Sequence, residues 1–308
     1  MLQASPVPPG SGSQDLPGAT IVKVARAKIN LALHVTGRRD DGYHLLDSVV
    51  TFCEAGDRLE IAAAEEDRFS VSGRFAQALG ADADNLVLKA RDGLRARLLA
   101  AGAPGVGPVA IHLEKNLPVA SGIGGGSADA AAALAGLMPL WGAQPASVET
   151  EALALSLGAD VPMCLAGTPL CARGIGEDMV PLPHLPAMAL VLGNPLIGVA
   201  TPAIFRALQK RDNPPVGPLP ASDRLADWID CLAGLRNDLE PAATALVPQI
   251  ARLRHMLTDH GALLSRMSGS GATCFGIFET LEAARAAADA LAAAQPDWYF
   301  CATRTISA

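Results

Sequence analysis

The sequence predicts an α+β fold in two domains. Strand-type alternation and helix-type periodicity are mixed along the chain without a regular strand–helix–strand rhythm. Half of the 308 residues are apolar, enough to bury a full-sized core. The rhythm changes after Pro181-Leu182-Pro183. The expected division is a disordered extension over 1–20, an N-terminal domain over 21–180 and a C-terminal domain over 181–308.

Taken in order, the first twenty residues are rich in Pro, Gly and Ser and lack the basic and apolar regions of a signal peptide. From Ile21, Val22 and Val24 and then Leu31, Leu33 and Val35 alternate as a strand pair would. Residues 57–63 and 68–72 read as further strands. Residues 85–101 read as a helix, with Leu86, Ala90, Leu94 and Leu98 at helical spacing and Gly102 beyond its end. Val109, Ile111 and Leu113 form a strand leading into a loop, and an Ala-rich helix is expected over 127–140. A helix over 147–157 follows, and a strand over 187–192 opens the second domain. Helices over 202–208, 221–232, 239–257 and 281–293 and strands over 273–278 and 298–303 complete the pattern.

The formal charge of −7 argues against a nucleic-acid or anionic-membrane partner, which would call for clustered Lys and Arg. It leaves an anionic small molecule open, because a local positive site can sit in an acidic protein. Six cysteines lack any C-x-x-C pair and stand in apolar company, as reduced thiols of a cytoplasmic protein do. The His residues show no metal-ligand spacing. The longest apolar runs are Ala-rich or broken by Pro and Gly, against a membrane span.

The most informative stretch is Lys115-Asn116-Leu117-Pro118-Val119-Ala120-Ser121-Gly122-Ile123-Gly124-Gly125-Gly126-Ser127-Ala128-Asp129. It joins an expected strand to an expected helix. Its glycines allow close backbone approach, and the helix end points free N–H groups and a positive dipole end at whatever the loop surrounds. In physical terms that is a phosphate cradle. Ser127 can cap the helix or offer its hydroxyl to a phosphate or metal. Neither the Walker pattern nor G-x-G-x-x-G fits, so P-loop and Rossmann enzymes are disfavoured. Alone, the cluster is equally a flexible turn before an ordinary helix.

Ala27-Lys28-Ile29-Asn30-Leu31, this glycine loop and Met267-Ser268-Gly269-Ser270-Gly271-Ala272 occur in the order and spacing of the GHMP kinases, which the chain resembles over about residues 21–305. Gly42-Tyr43-His44, Asp84-Asn85-Leu86, Gly158-Ala159-Asp160-Val161-Pro162, Gly174-Ile175-Gly176-Glu177, Thr201-Pro202 and Asn237-Asp238-Leu239-Glu240-Pro241 narrow the resemblance. They point to the branch acting on a diphosphocytidyl-linked methylerythritol. The resemblance implies a ribosomal protein S5 domain 2-like N-terminal domain that takes ATP and a ferredoxin-like C-terminal domain. It implies phosphorylation of the tertiary 2-hydroxyl with ATP and Mg²⁺, by a monomer or weak homodimer with no nucleic-acid or membrane partner.

It also implies the roles of single residues. Asp160 is the general base; an isolated Asp-Val-Pro would otherwise be a helix cap. Lys28 pairs with it and steadies charge on the transferring phosphoryl group; alone it reads as an edge-strand lysine reaching water. Asn30, two residues on, orients the same hydroxyl or makes a structural hydrogen bond. Asn85, Lys115, Pro118 and residues 121–127, namely Ser121, Gly122, Ile123, Gly124, Gly125, Gly126 and Ser127, face the nucleotide, with Mg²⁺ carried mainly on the ATP phosphates and on Ser127. Tyr43 and Phe205 stack on cytosine while His44 bonds its edge. Thr201, Ser268, Gly269, Ser270 and Gly271 wrap the substrate, although Thr201 before Pro202 also suits a helix start. Two positions depart from the family pattern. Arg26 replaces a proline before Ala27-Lys28, and Ala128 replaces the loop's second serine. Kinases of homoserine or mevalonate would not need the Tyr43-His44 pair, and a silent sensor of this fold would lose Lys28 or Asp160.

Overall fold

A computed structural model describes residues 19–79, 85–143 and 150–307. The extension expected over 1–20 and the first residues of the helix expected at 147 fall largely outside them. Among the described residues the chain forms two sheets. The first is built on a hairpin of β1 (Ile21–Arg38) and β2 (His44–Ala63), closed by a turn in which Gly42 takes a φ of 94°. One edge of β2 pairs with β1 along its length. The other edge is shared by β4 (Val109–Glu114), opposite residues 58–63, and β5 (Leu170–Gly174), opposite residues 46–50. Outside these lie β3 (Arg68–Ser72), parallel to β4, and β6 (Asp178–Pro181).

Four helices cover one face of this sheet: α1 (Leu86–Ala100), α2 (Gly125–Leu140), α3 (Thr150–Leu157) and α4 (Val161–Ala166). The small residues of α2 let it lie close against the strands. A Cβ at Gly136 would stand 2.6 Å from the Ile61 side chain, so a larger residue would push helix and sheet apart. At the rim, Asp67 links three elements. Its Oδ1 accepts the N–H of Val109 at 2.9 Å and its carboxylate grips Arg95 of α1 through both oxygens.

The second sheet contains β7 (Ala189–Asn194), β8 (Leu264–Met267), β9 (Cys274–Phe278) and β10 (Tyr299–Arg304), in the order β10-β7-β9-β8 and antiparallel throughout. Counted within this sheet the order is fourth, first, third, second, the split βαβ pattern of a ferredoxin-like domain. Between β7 and β8 run α5 (Thr201–Ala207), α6 (Leu225–Ala233), α7 (Glu240–Leu246) and α8 (Gln249–Asp259), and α9 (Leu281–Ala294) joins β9 to β10. A core of Ile29, Leu31 and Val49 from the first sheet with Leu190, Leu192, Phe275 and Ile277 from the second holds the two together. The C-terminal half of β1 goes further, sending Leu33 and Val35 into the core of the second sheet's helices.

Several elements differ from the sequence expectation. The region from Ile21 is one strand, with register shifts at Arg26/Lys28, Asn30/Ala32 and Val35/Gly37. These shifts break simple alternation, so Val22 and Val24 are exposed while Leu31, Leu33 and Val35 are buried. β2 begins at His44 instead of residue 57. The helix expected over 239–257 is two, because Pro248 cannot continue the hydrogen bonding of α7. The short elements β5, β6, β8 and α4 had no periodicity long enough to reveal them.

Arg95 and the Val109 N–H hold the Asp67 carboxyl at about 2, below its usual range. The stabilisation is therefore present above about pH 4, where the unfolded carboxylate is ionised, and is lost as pH falls toward 2. Asp67→Asn should lower the melting temperature at pH 7, with the gap to wild type closing between about pH 4 and 2 in thermal melts.

Candidate active site

Between the two sheets lies a cleft of about 480 Å³. Lys28 and Asn30 reach it from β1, Ser48 and Val50 from β2, the glycine loop from the end of β4, Asp160 from the start of α4, and Thr201 and Phe205 from α5. Residues 132 apart meet here: Lys28 Nζ lies 2.8 Å from Asp160 Oδ2. The lysine side chain is 6% exposed and the aspartate 38%, so the ammonium is sheltered while the carboxylate keeps an open side toward the cleft.

The glycine loop is fastened to this pair. The Lys28 N–H donates to the Ile123 carbonyl at 3.0 Å. Gly124, at a φ of 65°, sits above it, where a Cβ would be 3.3 Å from Lys28 Cβ and 3.8 Å from Asp160 Oδ2. Gly124 is the N-cap of α2, so the helix begins at Gly125 instead of Ser127. Ser127 therefore stands inside the first turn, and the N–H groups of Gly125, Gly126 and Ser127 precede the first intrahelical hydrogen bond, made by Ala128 to Gly124. They line the cleft beside a lysine, a setting built for phosphate.

Asn30 is held by Ser48, whose Oγ accepts from its Nδ2 at 2.8 Å and donates to the Ala32 carbonyl at 2.6 Å. This leaves Asn30 Oδ1 a buried acceptor without a protein partner at the cleft wall. A hydroxyl donor brought in by a substrate would satisfy it. No motif in the sequence points to Ser48. Leu33, Leu46, Met163 and Val199 add an apolar surface suited to a carbon skeleton.

The second glycine-rich loop docks on the first. Ser268 Oγ accepts the Asn30 N–H at 3.0 Å and donates to the Gly122 carbonyl at 3.1 Å, and the Thr273 N–H reaches the Ser121 carbonyl at 3.1 Å. A Cβ at Gly122 would lie 2.5 Å from the Ser268 oxygen, and one at Gly269 would lie 2.5 Å from the Gly122 oxygen. Asn237 braces the loop by donating to the carbonyls of Met267 and Gly269, both at 2.8 Å. Gly269 and Ser270 thereby reach the cleft wall, where Ser270 Oγ meets Thr201 Oγ1 at 2.8 Å. Ser268 and Gly271 support them from behind.

Other residues stand elsewhere than expected. Tyr43 is 61% exposed and is not part of the cleft wall. The ring contact is instead between His44 and Phe205, whose centroids are 4.7 Å apart at 27°. Burial, with Arg38 and Arg211 nearby, lowers the pKa of His44, favouring a neutral ring. Asn85 caps α1, its side chain accepting the Val87 N–H at 2.9 Å, and Leu86 faces the cleft in its place. Pro118 is buried and its carbonyl accepts from Ser121 Oγ at 2.7 Å, while the Ile123 side chain is in the core.

Lys115 shows the largest departure. Its ammonium is not in the cleft wall but buried beneath the loop, bonded to Asp57 and, at 2.6 Å, to Asp129. Burial opposes its charge, yet the two carboxylates raise its pKa. Burial, with the charge of Asp57, raises the pKa of Asp129 against the pull of Lys115. Sequence spacing could not reveal Asp57, which comes from the middle of β2.

The comparisons agree with this architecture. Residues 85–168 match the family model described as GHMP kinases N terminal domain, and residues 220–297 that described as GHMP kinases C terminal. The 4-diphosphocytidyl-2-C-methyl-D-erythritol kinase of Rhizobium johnstonii is 59% identical over 290 residues, 94% of each chain. That of Agrobacterium fabrum is 57% identical, over 95% of this chain and 99% of its own. A crystal structure of 4-(cytidine 5'-diphospho)-2C-methyl-D-erythritol kinase superposes with a TM-score of 0.76 at 35% identity, covering 94% of this chain and all of that one.

The contact between the loops yields a prediction. Gly122→Ala would force a left-handed residue, costing roughly 1–2 kcal/mol, and drive its methyl into the Ser268 carbonyl. It should lower the melting temperature by several degrees and weaken nucleotide binding in a titration; a variant equal to wild type in both would show that the loops do not depend on this contact.

Proposed function

The chain belongs to the GHMP kinases, and from that premise we propose how its cleft carries out phosphoryl transfer. The reaction is ATP-dependent phosphorylation of 4-diphosphocytidyl-2-C-methyl-D-erythritol at its 2-hydroxyl, giving the 2-phosphate and ADP, in the non-mevalonate route to isoprenoid precursors. The observation that carries the site assignment is the Lys28–Asp160 pair at 2.8 Å beside the free N–H groups of α2.

ATP lies with its phosphates against residues 124–127, where backbone donors and the helix dipole balance their charge. The substrate hydroxyl enters between Asn30 and Asp160. Asp160 accepts its proton as the oxygen attacks the γ-phosphorus, and the bond from that phosphorus to the β,γ-bridging oxygen breaks, releasing ADP. Positioned proton removal of this kind contributes about 10² to 10⁴ in rate. Lys28 holds the carboxylate in place and offsets charge spreading over the phosphoryl oxygens. The cytosine is received at the Phe205–His44 ring pair, with the apolar wall under the methylerythritol carbons.

No group of three or more His, Cys, Asp or Glu side chains able to hold a metal is found among the described residues. The single hydroxyl of Ser127 at the cleft wall fits Mg²⁺ carried chiefly on the nucleotide, as a hard cation that keeps few protein ligands. Bound there, Mg²⁺ would neutralise phosphate charge. No described helix is long and apolar enough to cross a membrane. The formal charge of −7 supports action on a small molecule without nucleic-acid partners, and the accompanying proposal is a cytoplasmic enzyme that is a monomer or weak homodimer. The proposed division is an extension over 1–20, an N-terminal ATP-binding domain over 21–180 and a C-terminal domain over 181–308, with both domains lining the cleft.

An ADP-release assay tests the reading. ADP should form with the diphosphocytidyl substrate and not with homoserine or mevalonate. Asp160→Asn should keep binding of both substrates but reduce turnover at least about a hundredfold; near-normal turnover would remove Asp160 as the base. Phe205→Ala should raise the KM of the cytidyl substrate several-fold more than that of ATP, and equal changes would break the cytosine assignment.

A further inference from the structure

The ion cluster beneath the glycine loop takes no part in the chemistry above. Lys115 follows the last residue of β4, and Asp129 lies on α2 just past its first turn. The loop between them carries the N–H groups that face the cleft. One ammonium therefore joins the segment entering the loop to the helix leaving it, with Nζ 2.6 Å from Asp129 Oδ2. Asp57 holds the entering segment a second time, its Oδ1 accepting the N–H of Asn116 at 2.6 Å and of Leu117 at 2.8 Å. All three charged side chains are at most 5% exposed. Gly125 rests on the cluster: a Cβ there would stand 3.3 Å from Lys115 Nζ.

We propose that Asp57, Lys115 and Asp129 are positioning residues that fix the curvature of the phosphate loop from below, and that none of them touches the nucleotide. The inference rests on reading residues 124–127 as the phosphate cradle. A loop this rich in glycine has many backbone states, and donors aimed at an anion work best when few remain to be frozen on binding. Tying both flanks to one buried charge removes that freedom before the ligand arrives. A side chain at Gly125 would press on the ammonium, so the cluster would have to give way to hold one at a position where the backbone is already helical.

The test uses the full-length protein and compares ADP with adenosine, which share the nucleoside and differ in the phosphates. Asp129→Ala should weaken ADP at least about tenfold while adenosine affinity and the KM of the cytidyl substrate stay within about twofold. Asp129→Asn keeps an oxygen for the ammonium and should recover ADP affinity to within about threefold of wild type. The combined substitution Asp57→Asn, Lys115→Met and Asp129→Leu removes the charges at similar volume, a change buried ion clusters often tolerate. It should melt near wild type yet lose ADP affinity as Asp129→Ala does. ADP affinity within twofold of wild type in either folded variant would overturn the proposal, as would adenosine weakening in step with ADP. Loss of the fold in both would show that the cluster serves folding alone, and overturn it too. Should wild type bind ADP no better than adenosine, the cradle reading itself would fall.

Discussion

Two loops from different sheets touch backbone to backbone, and the cleft exists because they do. Gly122 and Gly269 approach each other closely enough that neither position has room for a methyl group. Ser268 fills the remaining space with a single hydroxyl that serves both the Gly122 carbonyl and the Asn30 N–H. That one contact sets the distance between the two loops where they line the cleft. Asn237 and Glu240 keep the second loop in shape by bonding its main chain, so their place in the sequence motif reflects support of the backbone.

Charge is distributed with similar economy. The chain is acidic overall, yet the cleft presents an ammonium and the positive end of a helix to an anionic ligand. Lys115, the other lysine near the loop, has its charge wholly matched by carboxylates in a dry setting. Lys28 differs in having one partner whose other side stays open, which lets the pair act on a third group. The two lysines thus differ in the number of carboxylates that surround them, one at Lys28 and two at Lys115.

Much of this was legible in the residues. The glycine loop, Lys28 and Asp160 stand in local patterns that the sequence exposes, and they do meet at the cleft. The strand pattern at Ile21 misled because three bulges each turn the chain to its other face, and alternation is blind to such insertions. The expectation set Tyr43 to stack and His44 to hydrogen-bond, and only the packing of Phe205 against His44 shows which of the two adjacent rings turns inward. The family resemblance puts Lys115 beside the nucleotide, whereas its ammonium lies beneath the loop between two carboxylates. One of its partners, Asp57, lies 58 positions away, and the pattern that marks 57–63 as a strand does not say what that strand's first residue meets.

β1 belongs to both halves of the molecule. Its first half completes one sheet, and its second half buries Leu33 and Val35 among helices that arrive more than 160 residues later. A fragment ending near Pro183 would expose that apolar edge to water, and the later fragment would lack part of its own interior. The architecture is therefore two-part in appearance but indivisible in folding. Exchange of halves between relatives by recombination would succeed only where the donor of the later half also matches this single early strand.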